Sequence, residues 1–173
     1  MGHVLLTGSD HATTASVGSF LANLPEMLGS MAVDPRRLVA VVEFEDGRYV
    51  QFWVEPQGLV IAEVISNLNI GDARALSNAD EACLRSMGWS EPSPGPNPNW
   101  RFEATDVAGL VDLVAMTARA VVEVLGEVAT ARVSLRTWAM QRESDDESGA
   151  VREVARVYYQ SSLRDLQRQL DGP

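Results

Sequence analysis

Residues 48–67, RYVQFWVEPQGLVIAEVISN, constrain the fold more than any other stretch. Two runs rich in Val, Ile, Phe, Tyr and Trp flank Glu55-Pro56-Gln57-Gly58, the composition of two strands around a turn. An earlier run, 38–44, reaches Tyr49 through Glu45-Asp46-Gly47-Arg48, and Asp-Gly predicts a two-residue hairpin loop because both central positions then take φ > 0. Three antiparallel strands in sequence order are expected. Successive side chains of a strand point to opposite faces, so Val50, Phe52 and Val54 share one face and Tyr49, Gln51 and Trp53 the other. On the third strand Leu59, Ile61 and Ile65 alternate with Val60, Ala62 and Val64, and Glu63 is the main interruption. An antiparallel sheet with one face in water reads as clean polar and apolar alternation. This one is apolar on both faces and needs cover on both, from helix, second subunit or ligand.

Helical patterns surround the strands. From Thr13, Val17, Phe20, Leu21, Leu24, Leu28 and Met31 recur at helical spacing, and Pro25 is expected to kink or split that helix because it lacks an N–H and crowds the preceding turn. Ser77-Asn78-Ala79-Asp80 has the form of a capping box ahead of a helix over 78–87, ended by Gly88, with Ala79, Cys83, Leu84 and Met87 inward. Trp89 and Trp100 flank SEPSPGPNPN, a Pro- and Asn-rich loop between two short strands. Asp106 starts the longest helical pattern, with Leu110, Val114, Thr117, Val121, Val124 and Val128 in steps of three or four. Residues 129–141 fit a helix better than a strand, since Ala131, Leu135 and Trp138 share a face. The acidic run 143–149 reads as a solvated linker, lacking the ligand alternation of a calcium loop. Residues 151–170 carry Val151, Ala155, Tyr159, Leu163, Leu166 and Leu170 on one helical stripe, which can pack on its own sheet or across a dimer. The expected organisation is an α+β domain over 1–128 and a helical extension over 129–173.

Composition excludes several functions. At 173 residues there is room for one main domain with its own core. A formal charge of −10 opposes nucleic-acid binding, which relies on clustered cations displacing counterions. No run approaches the roughly 18 to 20 apolar residues of a membrane span, and residues 1–10 lack the basic start of a signal peptide. The single Cys83 excludes an internal disulfide framework, so a cytoplasmic setting is expected. Residues 3–7 are apolar but lead into no G-x-G-x-x-G, so a dinucleotide-binding start is disfavoured.

Catalytic chemistry finds little footing. His3 and His11 are the two histidines, with no Cys or acid at metal spacing, and Cys83 sits on an amphipathic pattern as a small apolar residue would. No hydrolase, metalloprotease or Walker motif is present, so neither enzyme activity nor a cofactor is expected. Glu63, flanked by apolar strand residues, reads as a strand-edge acid paired with an arginine. Trp89, Trp100 and Trp138 are assigned to the core. Trp53 opposes Phe52 on its strand, so it either lines an intermolecular or peptide groove or lies under the C-terminal stripe.

Arg48-Tyr49-Val50-Gln51-Phe52, then Glu63-Val64 and Ser66-Asn67, then Leu84 to Gly88-Trp89, and Asn99-Trp100 before a long helix occur in a set order. Together they resemble the YbjN-like group of actinobacteria related to type III secretion chaperones, called TY-Chap, over residues 17–128. The resemblance implies an α-β-β-β-α-β-β-α order and non-enzymatic binding of client peptide segments, often as a homodimer. It carries no catalytic residues. The expected function is capture of client protein or peptide on an exposed sheet face lined by Tyr49, Gln51, Trp53, Ile61 and Glu63. The alternative is a small-ligand-binding or sensory domain with a closed apolar pocket.

Overall fold

Both hairpins close through a glycine in the left-handed region. Gly47, at φ +83°, donates to the Phe44 carbonyl while Phe44 donates to Arg48. Gly58, at φ +81°, repeats the arrangement with Glu55 and Leu59. Each turn thus places a glycine at its end, so the expected Asp-Gly loop is longer by one residue and its positive φ falls on Gly47. The computed structural model describes residues 11–34, 37–55, 57–70, 74–94 and 98–140. It is an α+β fold, one six-stranded antiparallel sheet packed by three α-helices.

The strands are β1 (His11–Ser16), β2 (Arg37–Phe44), β3 (Tyr49–Val54), β4 (Val60–Val64), β5 (Trp100–Ala104) and β6 (Arg132–Met140). The helices are α1 (Val17–Val33), α2 (Asn78–Ser86) and α3 (Val107–Arg119). Spatial order is β1-β6-β2-β3-β4-β5, so the expected meander forms the middle of a larger sheet. Register places Phe52 between Ala40 and Ala62, and Trp53 between Val39 and Ile61.

All three helices lie on the Phe52 side. Phe20 of α1 meets Phe52 with ring centroids 6.4 Å apart, Trp89 after α2 meets Phe102 at 5.6 Å, and Gly109 of α3 abuts Ala104 so closely that a Cβ would lie 3.3 Å from the Ala104 Cα. Val17, Leu24, Leu28, Leu84 and Leu113 are fully buried in that layer. Ser77 caps α2 by accepting from Asp80, whose side chain accepts from the Ser77 backbone in return, the anticipated capping box. Trp89 and Trp100 join the core as expected.

Several expectations are corrected. Residues 132–140 form a strand, because Val133, Leu135 and Thr137 alternate with Arg132, Ser134 and Arg136 across a pleat, and this strand fills the place between β1 and β2. The sheet therefore continues past residue 128, and the helix expected over 129–141 does not form. Helix α1 starts at Val17, since residues 11–16 pair with β6, and it runs through Pro25 without a break, held by the buried Leu24 and Leu28. Ala79 faces solvent. Ser90 makes a single bridge to Arg101 where a second short strand was expected. After α3 a π-helical turn, Ala120–Val124, closes by Leu125 donating to the Ala120 carbonyl at 2.9 Å. The wider turn rotates Leu125 into the core and leaves Val128 in water, ending the predicted stripe one turn early. The acidic run 143–149 and the stripe over 151–170 lie outside the described residues, as does 1–10.

Candidate functional site: a roofed polar seam on the helix-free face

The face opposite the helices is where Tyr49, Gln51, Trp53, Ile61 and Glu63 come together. Alternation along β3 and β4 puts all five on it, and register sets Gln51 beside Glu63 and Trp53 beside Ile61. Tyr49, Gln51 and Trp53 are half-buried. Ile61 and Glu63 are buried, at 0% and 4% exposure, although no described helix lies above them.

What covers them follows from the sheet spacing. Glu63 opposes Arg101 and Ile61 opposes Glu103 on β5. Strands β3 and β5 are two spacings apart, about 9.6 Å. Yet the Arg101 guanidinium lies 5.4 Å from the centroid of the Trp53 ring. Contact that close across an intervening strand has to be made above it, so the Trp53 and Arg101 side chains lean together over Ile61 and Glu63. Each is anchored at its own side of the roof: Trp53 Nε1 donates to Glu55 Oε1 at 3.0 Å, and Arg101 Nε donates to Glu103 Oε1 at 2.6 Å.

Under the roof lies a connected set of amides and one carboxylate. Gln51 Nε2 donates to Glu63 Oε2 at 2.7 Å, and Asn99 Nδ2 donates to the same oxygen at 3.0 Å and to Tyr49 Oη at 3.1 Å. Asn99 Oδ1 accepts from Asn69 Nδ2 at 2.8 Å. The anticipated arginine partner of Glu63 is thus replaced by two amide donors, and β4 is an interior strand rather than an edge. Arg101 stands opposite Glu63 in register, but its Nε is turned to Glu103. The connector is fixed by neighbouring groups: Ser66 Oγ donates to the Pro98 carbonyl, and Asn67 both donates to the Leu76 carbonyl and accepts from its N–H. Strand reasoning did not join Asn99 to this network, because it precedes β5 in a polar loop. Its signal was the Asn99-Trp100 pair.

The same face carries a second feature toward β1. Thr14, Glu43, Arg132, Ser134 and Arg136 line a shallow cleft of about 250 Å³, where Arg136 lies 3.6 Å from Glu43. Its two arginines and two glutamates, Glu45 being the second, differ from the apolar enclosure expected for a small-ligand domain. Below the first hairpin, burial and the neighbouring Asp46 hold the Glu127 carboxyl above its ordinary range, with Arg48 at 3.5 Å acting in the opposite sense. Among the described residues, no group of three or more His, Cys, Asp or Glu is placed to hold a metal ion, and no helix is long and apolar enough to cross a membrane.

Comparison with known families matches residues 10–139 to the family described as "T3SS (YopN, CesT) and YbjN peptide-binding chaperone 3", TY-Chap3. The chain belongs to this family. The matched span includes β1 and β6 as well as the meander, so the TY-Chap3 domain here is the whole six-stranded sheet. No match was found among curated proteins or among solved structures. In this TY-Chap3 chain Tyr49, Gln51, Glu63 and Asn99, scattered over 51 residues of sequence, meet in one set of hydrogen bonds.

Proposed function

We propose that this TY-Chap3 domain captures extended client segments on the helix-free face of its sheet, with Tyr49, Gln51, Trp53, Ile61 and Glu63 as the receiving surface. The observation that carries the reading is the Trp53–Arg101 roof. A cation resting on an aromatic face contributes on the order of 0.5 to 2 kcal/mol, so an incoming chain can open it at small cost. Opening offers an indole face, the aliphatic Ile61, and the donors and acceptors of the Gln51, Glu63 and Asn99 network. Those groups suit a backbone with alternating side chains better than a compact metabolite. Binding without chemistry of its own, in a cytoplasmic setting, is part of the same reading.

The two sheet edges support a further element, a homodimer. At β5, Ser90 and Arg101 exchange both backbone hydrogen bonds, at 2.8 and 3.2 Å, which engages the outer edge at Arg101. At β1, Val17 donates to Ala131 at 2.8 Å, and by antiparallel alternation Ala12, Thr14 and Ser16 direct their N–H and C=O groups outward. A second copy can continue the sheet there.

The face is tested with an array of overlapping 15-residue peptides from candidate clients, probed with the wild-type chain and with Trp53→Ala. Loss of a central tryptophan from an interface costs about 2 kcal/mol or more, roughly thirtyfold in affinity. An unchanged set of bound peptides with Trp53→Ala retaining its fold would remove this face from consideration.

A further inference from the structure

We propose that the seam on the helix-free face takes an arginine side chain of the client, its guanidinium lying on the Trp53 ring and donating to Glu63. The inference rests on the reading of this face as the capture surface and adds the chemistry by which a segment is chosen.

Three observations converge. The first is a buried acid without a counter-charge. Glu63 is 4% exposed, and a carboxylate so buried is ordinarily paired with a cation. The two donors that reach it, Gln51 Nε2 and Asn99 Nδ2, are neutral amides, and both use Oε2. Among the described residues nothing donates to Oε1, and no arginine forms an ion pair with either oxygen. Nor is Oε1 sealed. The side-chain atoms both sealed and unpartnered among the described residues are Nε1 of Trp89 and of Trp100 and Oγ1 of Thr117, all in the helix layer. Glu63 Oε1 therefore keeps a path to the surface.

The second is that the nearest cation is held elsewhere. Arg101 stands opposite Glu63 in register, but its Nε donates to Glu103 at 2.6 Å and its guanidinium passes over Glu63 to the Trp53 ring. Its backbone is fixed in β5, so its side chain lies along the sheet. A side chain entering from above the sheet approaches Oε1 end-on.

The third is the roof itself, which shows what the Trp53 ring accepts: a guanidinium, 5.4 Å from its centroid. Arg101 is thus a stand-in for the side chain of a ligand. A second acceptor lies beside the first, since Gln51 Oε1 receives no donor among the described residues and Gln51 is opposite Glu63 in register. A guanidinium presents five donors in a planar fork and stacks on aromatic rings, whereas the ammonium of lysine is a compact, strongly hydrated point charge. A charged donor also makes a stronger hydrogen bond to a carboxylate than a backbone N–H does. An aromatic face next to two acceptors, one of them anionic, therefore selects arginine over lysine and over any neutral side chain.

Four pools of degenerate heptapeptides, alike except for a central arginine, lysine, citrulline or glutamate, test this when immobilised and exposed to the full chain. Citrulline keeps the shape of arginine without its charge. Retention by the arginine pool should exceed that by the citrulline pool about thirtyfold, the effect of removing one partner of a buried charge pair, with lysine between them and glutamate lowest. In Glu63→Gln, which keeps an acceptor for Gln51 and Asn99, the arginine and citrulline pools should be equivalent. Arg101→Gln vacates the Trp53 ring and should raise retention by the arginine pool about two- to thirtyfold, the equivalent of one cation–aromatic contact. Circular dichroism checks that each variant is folded. Equal retention by arginine and citrulline or by arginine and lysine would overturn the proposal. So would a preference that survives Glu63→Gln, which would come from the overall charge of −10, or a fall in arginine retention with a folded Arg101→Gln. Those results leave the capture face standing as long as retention depends on Trp53. Retention of every pool unchanged by Trp53→Ala removes the face and the arginine site together.

Discussion

Strand β4 is buried along its whole length, but its two sides are covered by different materials. Val60, Ala62 and Val64 lie under aliphatic and aromatic side chains of the helix layer. Among the described residues, Ile61 and Glu63 lie under one aromatic ring and one guanidinium, with amides hydrogen-bonded to Glu63 beneath them. The first cover is close-packed and costs several kcal/mol to open at any point. The second is held by contacts worth about a kcal/mol each, in which every donor has an alternative in water. One side of the sheet is close-packed, and the other is held by polar and cation–aromatic contacts that water can replace.

Adjacent residues of β3 give the widest test of that contrast. Phe52 is fully buried between α1 and the sheet, and Trp53 is half-buried beneath Arg101. Phe52→Ala should lower unfolding free energy by about 3 to 5 kcal/mol. Trp53→Ala should lower it by no more than about 1.5 kcal/mol, while reducing peptide capture far more. Urea denaturation read by circular dichroism gives both values. Equal losses would mean that the two faces are one continuous core and that the roof is structural.

Glu63 sharpens the comparison at an intermediate scale. Replacing it by leucine suits a reading in which this side is simply a second apolar layer. The network predicts the reverse, because Gln51 Nε2 and Asn99 Nδ2 would lose their common acceptor below the roof. Glu63→Leu should cost about 2 kcal/mol, and Glu63→Gln, which keeps an acceptor oxygen, less than half as much. A shift in urea midpoint at constant slope is the measure. A leucine variant as stable as wild type would show the hydrogen bonds to be dispensable.

How far the sequence disclosed this arrangement depends on which signal each element carried. The meander was legible because β2, β3 and β4 are dense in β-branched and aromatic residues and are punctuated by Gly47 and Gly58. The faces of β3 followed from alternation alone. The sheet's other half was not legible in the same way. His11–Ser16 has no apolar pattern, and it is a strand only because β6 pairs with it. In β6 two periods compete: Ala131, Leu135 and Trp138 fit a helix, while Arg132, Ser134 and Arg136 against Val133, Leu135 and Thr137 fit a strand, and pairing on both sides decides for the second. The candidate site was half visible. Its strand residues were found by face, whereas Asn99 and Arg101 could be joined to them only once β5 was known to lie beside β4.

The smallest expected energy concerns the two edges. Thr14 is exposed, and its N–H points away from β6, so Thr14→Pro removes no ladder hydrogen bond and should cost less than about 1 kcal/mol. Ala15, opposite Val133, belongs to the alternate, hydrogen-bonded set, and Ala15→Pro should cost about 3 kcal/mol. The pair separates edge chemistry from fold. If two copies join through β1, Thr14→Pro converts the dimer to a monomer in light scattering after gel filtration with little change in melting temperature, since proline cannot donate to the incoming strand. A dimer that survives Thr14→Pro must form elsewhere. The helix-free face is one such place, and a dimer formed there would compete with the proposed capture of clients.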